Sequence, residues 1–480
     1  MATSSPGLEL ERAVLAFRRD QATSYLRRLA GQPVDPRTEN RARALLGTER
    51  GLELLESAVD SGEVDPTHYA AVCAHYARAA LERTFERARI STSGLLEREV
   101  SVEGETRAVG DLLGEWSALT NTAQRERALR AMSPVLEAYA EALLRARADS
   151  DAAVGELFKQ LAPERHKDAG PTGGGVALAE RWLADTDALC REALAFAKRA
   201  HSSEAETGFD TLWLSLGQPM RGLFGRDGRS RRLASEWEPL GLRRLLSARA
   251  RSAPDHPGPF LAPQLVVLSA PGEVRISPAV REYGLASELA SAETIGRAVG
   301  VVHGSSALPV GLRFASVGTC ARAVGSLAIL RFVEPHFLRR VRQLSVREGD
   351  IIARLSAFYY LLDSRLCAAS VLARNLGGPT ALDELAALAE RALLGSVQRG
   401  PAAALLLRSS PGGAFRGKAH GPALSWALRE RFDEDWYLNP HAAEPLRGAL
   451  ARAGEFSVED FAAELGAEVS LGVTKIAELF

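Results

Sequence analysis

From Leu8 to about Ala205, apolar residues recur at i, i+3 or i+4, and i+7, as in Leu10, Val14 and Phe17 or Leu136, Tyr139 and Leu143. That spacing lines one face of a 3.6-residue helix, so this half of the chain is expected to be nearly all α. Asp35-Pro36 and Asp65-Pro66-Thr67 mark helix starts, where an acid caps and proline fits the first turn. The strongest break is Asp168-Ala-Gly-Pro-Thr-Gly-Gly-Gly175, ahead of a long helix to about His201. Between Gln264 and Ser277 the period changes. Gln264-Leu-Val-Val-Leu268 and Glu273-Val-Arg-Ile-Ser277 have strand composition, and the Ser-Ala-Pro-Gly between them predicts a hairpin or a pair of edge strands. Helical periodicity then resumes over Glu288–Val302, Cys320–Leu344, Ile351–Leu376, Ala381–Gln398 and Gly421–Phe432, with no tandem repeat.

The expectation is a mostly α protein with a small β element, divided into an N-terminal helical lobe, 1–205, and a second lobe, 206–480. A chain of 480 residues, 46% hydrophobic and 25% charged, can bury a large core. Its formal net charge of -1 gives no pull toward nucleic acid or an anionic membrane. Only five lysines stand among the 59 basic residues, which fits a GC-rich coding sequence better than a surface selected for phosphate. Cys73, Cys190, Cys320 and Cys367 lie far apart in apolar helical sequence and read as buried reduced thiols. Residues 1–9 show no basic-then-apolar leader, no run of about 20 apolar residues occurs, and a cytoplasmic protein is expected.

The stretch that bears on chemistry is Ala292-Glu-Thr-Ile-Gly296-Arg297-Ala298-Val299-Gly300-Val-Val-His303, followed by a Gly/Pro-containing segment from Leu308 and a second helix carrying Arg322. The order strand pair, helix, loop, helix over residues 264–340 resembles the core of gluzincin peptidases of the thimet-oligopeptidase-like and oligoendopeptidase-like kind. The resemblance covers roughly residues 260–470, and the N-terminal half only through its helical character. The resemblance implies a two-lobed helical zincin fold in which one helix bears His-Glu-x-x-His and the next supplies a glutamate ligand. Histidines at i and i+4 share a helical face and reach one Zn²⁺, while the glutamate between them serves as base for the bound water. Laid on that pattern, the ligand positions fall on Gly296 and Gly300, the base on Arg297 and the third ligand on Arg322, with His303 kept as a trailing histidine. Glycine offers no ligand atom and a guanidinium does not bind zinc, so neither metal nor cofactor is expected. The segment Tyr359-Tyr-Leu-Leu-Asp363-Ser-Arg365 is similar to a helix behind the active site of these enzymes. The tyrosine that stabilises the tetrahedral intermediate in active relatives falls on Ala414 or Phe415, beside Arg416.

Other motifs read as structural. The glycines of 168–175 lack the Lys-Ser/Thr of a P-loop. The arginines of 222–232, namely Arg226, Arg229, Arg231 and Arg232, suit a solvated surface, as does Asp433-Glu-Asp435, and Glu334-Pro-His336 suits a surface loop. His68 and His75 are seven apart on one helix without an acid or thiol set at ligand spacing. His303-Gly-Ser-Ser306 lacks the strand-turn-helix elbow of a serine hydrolase.

Two functions follow. In the first, the protein is catalytically inactive and binds a peptide or protein partner, including an active metallopeptidase paralogue, through a vacated groove formed by Gly296, Arg297, Gly300, His303, Arg322 and Arg416. Arg297 and Arg322 would hold a carboxylate there, unless local acids such as Glu288 or Glu293 take them. In the second, an enzyme of another chemistry uses the same scaffold.

Overall fold

The computed structural model describes residues 5–30, 32, 49–65, 68, 69, 71–73, 75, 94–159, 173–201, 203, 206–217, 222–225, 227–253, 263–277, 284–318, 320–407, 411–455, 457–468 and 476. Along the chain the first elements are α1 (Pro6–Leu29), α2 (Glu49–Asp60), a hairpin of β1 (Glu99–Val102) and β2 (Glu105–Ala108), α3 (Val109–Trp116) and α4 (Thr122–Lys159). Next come α5 (Gly173–Asp185), α6 (Asp187–His201), α7 (Gly208–Ser215), α8 (Arg229–Ser235) and α9 (Arg243–Arg249). A three-stranded sheet is made by β3 (Ala250–Ser252), β4 (Gln264–Ser269) and β5 (Glu273–Ser277). The rest is helical: α10 (Gly284–Val302), α11 (Val310–Gly318), α12 (Cys320–Leu330), α13 (Pro335–Arg340), α14 (Val346–Leu372), α15 (Ala381–Leu393), α16 (Arg399–Leu407), α17 (Pro411–Phe432), α18 (Ala443–Arg452) and α19 (Val458–Glu464).

The hairpin expected over 264–277 is present, with Gln264 opposite Ser277 and Val267 opposite Val274. On its other side β5 takes β3 as a parallel neighbour, so the sheet order is β3-β5-β4. The β1–β2 hairpin is an exception within the nearly all-α N-terminal half. Its turn residues Glu103 and Gly104 both have positive φ, 56° and 85°, as a tight two-residue hairpin turn requires. Of the expected helix starts, Asp65 caps through its carboxylate, which accepts from His68 N at 2.8 Å. Asp35-Pro36 and most of the 168–175 break lie outside the described residues, though α5 does begin at Gly173. Ser345 with Glu348 and Ser457 with Asp460 form capping boxes that start α14 and α19.

One buried apolar cluster runs from Leu10 through Trp182, Leu327 and Phe358 to Phe461, taking residues from both sides of the expected boundary at 205/206. The apolar run Val310–Val333 is long enough to cross a bilayer by length and composition, yet 81% of it is buried, and it supplies α11 and the central core helix α12.

Three expectations fail because tertiary contacts override local polarity. Arg229 is buried, not solvated, and donates to Glu288 at 2.8 Å. Glu334 is also buried, at 5% exposure, at the start of α13. The segment after Leu308 is not a loop beyond Val310 but the helix α11.

Candidate binding site

Helix α12 lies between α10 and α17, and glycines set both spacings. A side-chain carbon added to Gly296 would fall 2.7 Å from Val324 O and 3.0 Å from the α-carbon of Gly325. One added to Gly300 would fall 2.7 Å from the α-carbon of Ala321. On the opposite face of α12, Gly417 sits against the backbone of Arg322 and Ala323, and Gly421 against Ser326 and Tyr360, with would-be contacts of 2.7–2.9 Å. Absence of Cβ lets the backbones approach this closely. The positions expected to border a groove at Gly296 and Gly300 are therefore buried in the α10–α12 contact. This corrects their placement: the two glycines serve as helix seam, not as lining.

The charged side chains flank that seam. Lys418, on α17 and 3% exposed, places Nζ 2.7 Å from Asp363 of α14 and 3.0 Å from Glu293 of α10. Pro422 follows four residues later in the same helix. Proline has no N–H, so the carbonyl four residues earlier, that of Lys418, loses its helical donor. The Tyr360 hydroxyl takes the donor's place, giving its hydrogen bond to Lys418 O at 2.6 Å. Burial alone would lower the ammonium pKa, but Asp363 and Glu293 outweigh it and hold Lys418 charged well above its ordinary range. Burial likewise works to raise Glu293, yet Lys418, Arg297 and Arg322 together keep its carboxylate below the usual value.

Arg297 stands one turn after Glu293 on α10, and both it and Arg322 of α12 are half-buried. Neither makes an ion pair with a described residue, and Arg297 Nε is buried without a hydrogen-bond acceptor. Burial, with Arg322 next in effect, pulls the Arg297 guanidinium down to about 9. The cluster thus holds three cations, Arg297, Arg322 and Lys418, against two carboxylates, Glu293 and Asp363, and Lys418 engages both carboxylates. One net positive charge remains, spread over the two guanidiniums, which both act on Glu293 as well. Around them stand other half-buried groups: Tyr359 and Cys367 of α14, Tyr25 of α1, and Gln264 of β4, whose Oε1 lies 3.2 Å from the Tyr25 hydroxyl. Burial pushes the Cys367 thiol up to about 12, so it is no nucleophile.

The other expected site residues lie elsewhere. His303 is buried, donates through Nδ1 to Val299 O at 3.0 Å, and has Arg249 and Arg447 as charged neighbours rather than Arg297. Arg416 faces α19, 4.0 Å from Glu459, which also accepts from His420 at 3.1 Å. Phe415 is fully buried against Trp182, and Ala414 is half-buried. Glu288, weighed as a partner for Arg297, instead belongs to a separate buried network with Arg229, Arg232 and Arg342, next to Glu236 with Arg331 and Arg342. The sequence reading missed Lys418, although a rare lysine four residues before a proline inside a helix was a usable signal.

Among the described residues no group of three or more His, Cys, Asp or Glu side chains is placed to hold a metal ion. The donor set at 296, 297, 300 and 322 does not fit zinc, because two members have no side chain and two are cations.

No family model and no curated protein matches the chain. Solved structures do. A carboxypeptidase from Pyrococcus furiosus, in an apo-Mg form, aligns over 99% of both chains with a TM-score of 0.60 at 11% identity. A putative oligoendopeptidase F from Bacillus anthracis str. Ames aligns over 93% of this chain and 86% of its own with a TM-score of 0.57 at 10% identity. Likeness of this extent at such low identity lies in the backbone, and the chain has the mostly helical architecture, with a small sheet, of these metallopeptidase structures.

Proposed function

We propose that the protein is a catalytically inactive, metallopeptidase-like protein that binds a peptide or protein partner, and that Arg297 and Arg322 receive a carboxylate of that partner, such as a peptide C-terminus. The observation that carries this reading is the closed α10–α12 crossing beside two guanidiniums that make no ion pair among the described residues and share the field of Glu293 with Lys418. Backbone fills the place where ligand side chains would project, while the charge beside it suits an anion by charge-assisted, bidentate hydrogen bonds. Glu293 and Asp363 are ion-paired to Lys418, so Glu293 offsets the two arginines only in part. A cytoplasmic location, and pairing with an active paralogue, belong to the same proposal.

The test combines two measurements. Elemental analysis after dialysis against zinc is expected to show no stoichiometric metal, and an unstructured peptide is expected to remain intact. A peptide with a free C-terminus should bind more tightly than its C-terminal amide, by about tenfold for a charge-assisted bond worth roughly 1.5 kcal/mol. Arg297→Ala and Arg322→Ala should each erase that difference. Bound zinc with hydrolysis would remove the proposal in favour of an enzyme, and equal affinity for acid and amide would remove the carboxylate site.

A further inference from the structure

Helix α1 meets the charged cluster at one end only. Toward its start it is fixed: Leu10, Val14 and Phe17 are buried in the main apolar cluster, and Glu11 Oε1 accepts from Val310 N at the beginning of α11 at 2.8 Å. Toward its end it rests on the sheet through a small separate cluster, in which Ala22 and Val266 are buried and Tyr25, Leu26 and Leu268 pack around them. The hold on α1 is therefore firm before Arg18 and light after Gln21.

The lightly held end reaches Arg297. Thr294 of α10 donates through Oγ1 to Pro263 O at 3.3 Å, which sets the start of β4 against α10 one turn before Arg297. Gln264 comes next, and its Oε1 accepts from the Tyr25 hydroxyl at 3.2 Å. The stem of Arg297 lies over Gly325 of α12, where an added side-chain carbon would fall 2.7 Å from Arg297 Cγ. The guanidinium beyond that stem feels both Arg322 and Tyr25.

An O–H···O bond is ordinarily about 2.5–3.0 Å long, so the bond from Tyr25 to Gln264 stands at the weak end. A carboxylate held by the two arginines is the better acceptor. It is ionised, it has about four lone-pair sites, and it takes bonds roughly twice as strong as a neutral amide does. A phenol adds a donor there without adding charge, so the single negative charge of the ligand still balances the net positive charge of the cluster.

Resting on the carboxylate site proposed above, we infer that Tyr25 is a ligand sensor: its hydroxyl exchanges Gln264 for the ligand carboxylate on binding. The exchange removes a tie between α1 and β4, and so passes occupancy of the arginine site to the lightly held end of α1.

Calorimetric titration of the full chain with acetyl-Ala-Ala-Phe and with its C-terminal amide reads the exchange. Tyr25→Phe keeps the ring in the small cluster and removes the donor, so it should weaken the acid about fivefold, the size of one hydrogen bond near solvent, and leave the amide unchanged. Gln264→Met removes the competing acceptor at similar volume, so it should tighten the acid about twofold. Opposite shifts from the two partners of one bond separate a sensor from a structural contact, whose loss moves affinity the same way from either side. Amide hydrogen exchange over residues 20–27 should quicken when the acid binds and stay unchanged with the amide. Absence of any preference for the acid in the wild type removes the arginine site and the sensor together. A wild-type preference with both variants shifted in one direction, or with neither shifted, or with exchange in α1 unmoved by the acid, overturns the sensor and leaves the arginine site standing.

Discussion

Replacement of Gly300 by alanine puts the α10–α12 crossing to a direct test, because two opposing effects of known size meet there. Within a helix, alanine is favoured over glycine by about 1 kcal/mol. Against this, the new methyl would stand 2.7 Å from the α-carbon and 3.0 Å from the β-carbon of Ala321. Carbon atoms pack at about 3.5–4.0 Å, so the two helices must part locally by roughly 1 Å. The atom met is backbone, and α12 is held from its other side by Gly417 against Arg322, so it has little room to retreat. Overpacking of this kind costs about 1–3 kcal/mol, and the absence of slack places it toward the upper end. The expected net loss is about 1–2 kcal/mol. Gly448 provides the control. It is exposed within α18 and a methyl there would meet nothing within 4 Å, so Gly448→Ala should stabilise by about 0.5–1 kcal/mol. Urea unfolding followed by circular dichroism should move the two midpoints in opposite directions at an unchanged slope. If Gly300→Ala moves its midpoint upward as Gly448→Ala does, the helices are not in contact there and a side chain at 300 has space to project.

Three further outcomes are expected. Glu334 is buried with Oε1 unpartnered, and burial raises its pKa from 4.5 to about 8 despite Arg429 and Arg331. The folded state then holds a proton that the unfolded state releases, so wild-type stability should fall as pH rises from 4.5 to 8, and Glu334→Gln should remove that fall, gaining on the order of 3 kcal/mol at pH 8.5 and little at pH 5. Arg342 serves both Glu236, at 2.8 Å, and Glu288, so Arg342→Met should destabilise by about 3–5 kcal/mol in urea unfolding. Lys418→Met should cost about 3 kcal/mol at pH 7 by leaving two carboxylates without their cation. Because the Glu293 pKa is depressed, the lost contribution is full above its ordinary value of 4.5 and fades as pH falls below that value through the depressed one, so the gap between wild type and variant should narrow in that acid range, and a constant gap there would contradict the pairing.

The helical class and the 264–277 hairpin were legible because periodicity and turn chemistry are local. The residue types at 296, 297, 300 and 322 are likewise read directly from the sequence. What the residue string does not carry is where an absent side chain leads. Gly296 and Gly300 were read as vacancies opening a groove, whereas the released volume was taken by α12, whose Ala321 and Gly325 are small in turn. The same property hid the start of α17: Gly412, Gly413 and Gly417 look like a breaker, yet the helix runs from Pro411 because packing on α12 supplies what propensity withholds. Arg229 and Glu334 were misplaced because burial of a charge depends on partners far away in sequence. The β1–β2 hairpin was readable in retrospect, since Val100 and Val102 alternate with polar residues before Glu103-Gly104.

The proline within α17 reaches further than its own helix. By stripping Lys418 of its usual partner, Pro422 makes the carbonyl available to Tyr360, and that bond joins the Lys418–Asp363 ion pair in tying α17 to α14. An alanine at 422 would let α17 close its own ladder and relax, so part of the tie to α14 is maintained by a chemical group the residue does not possess.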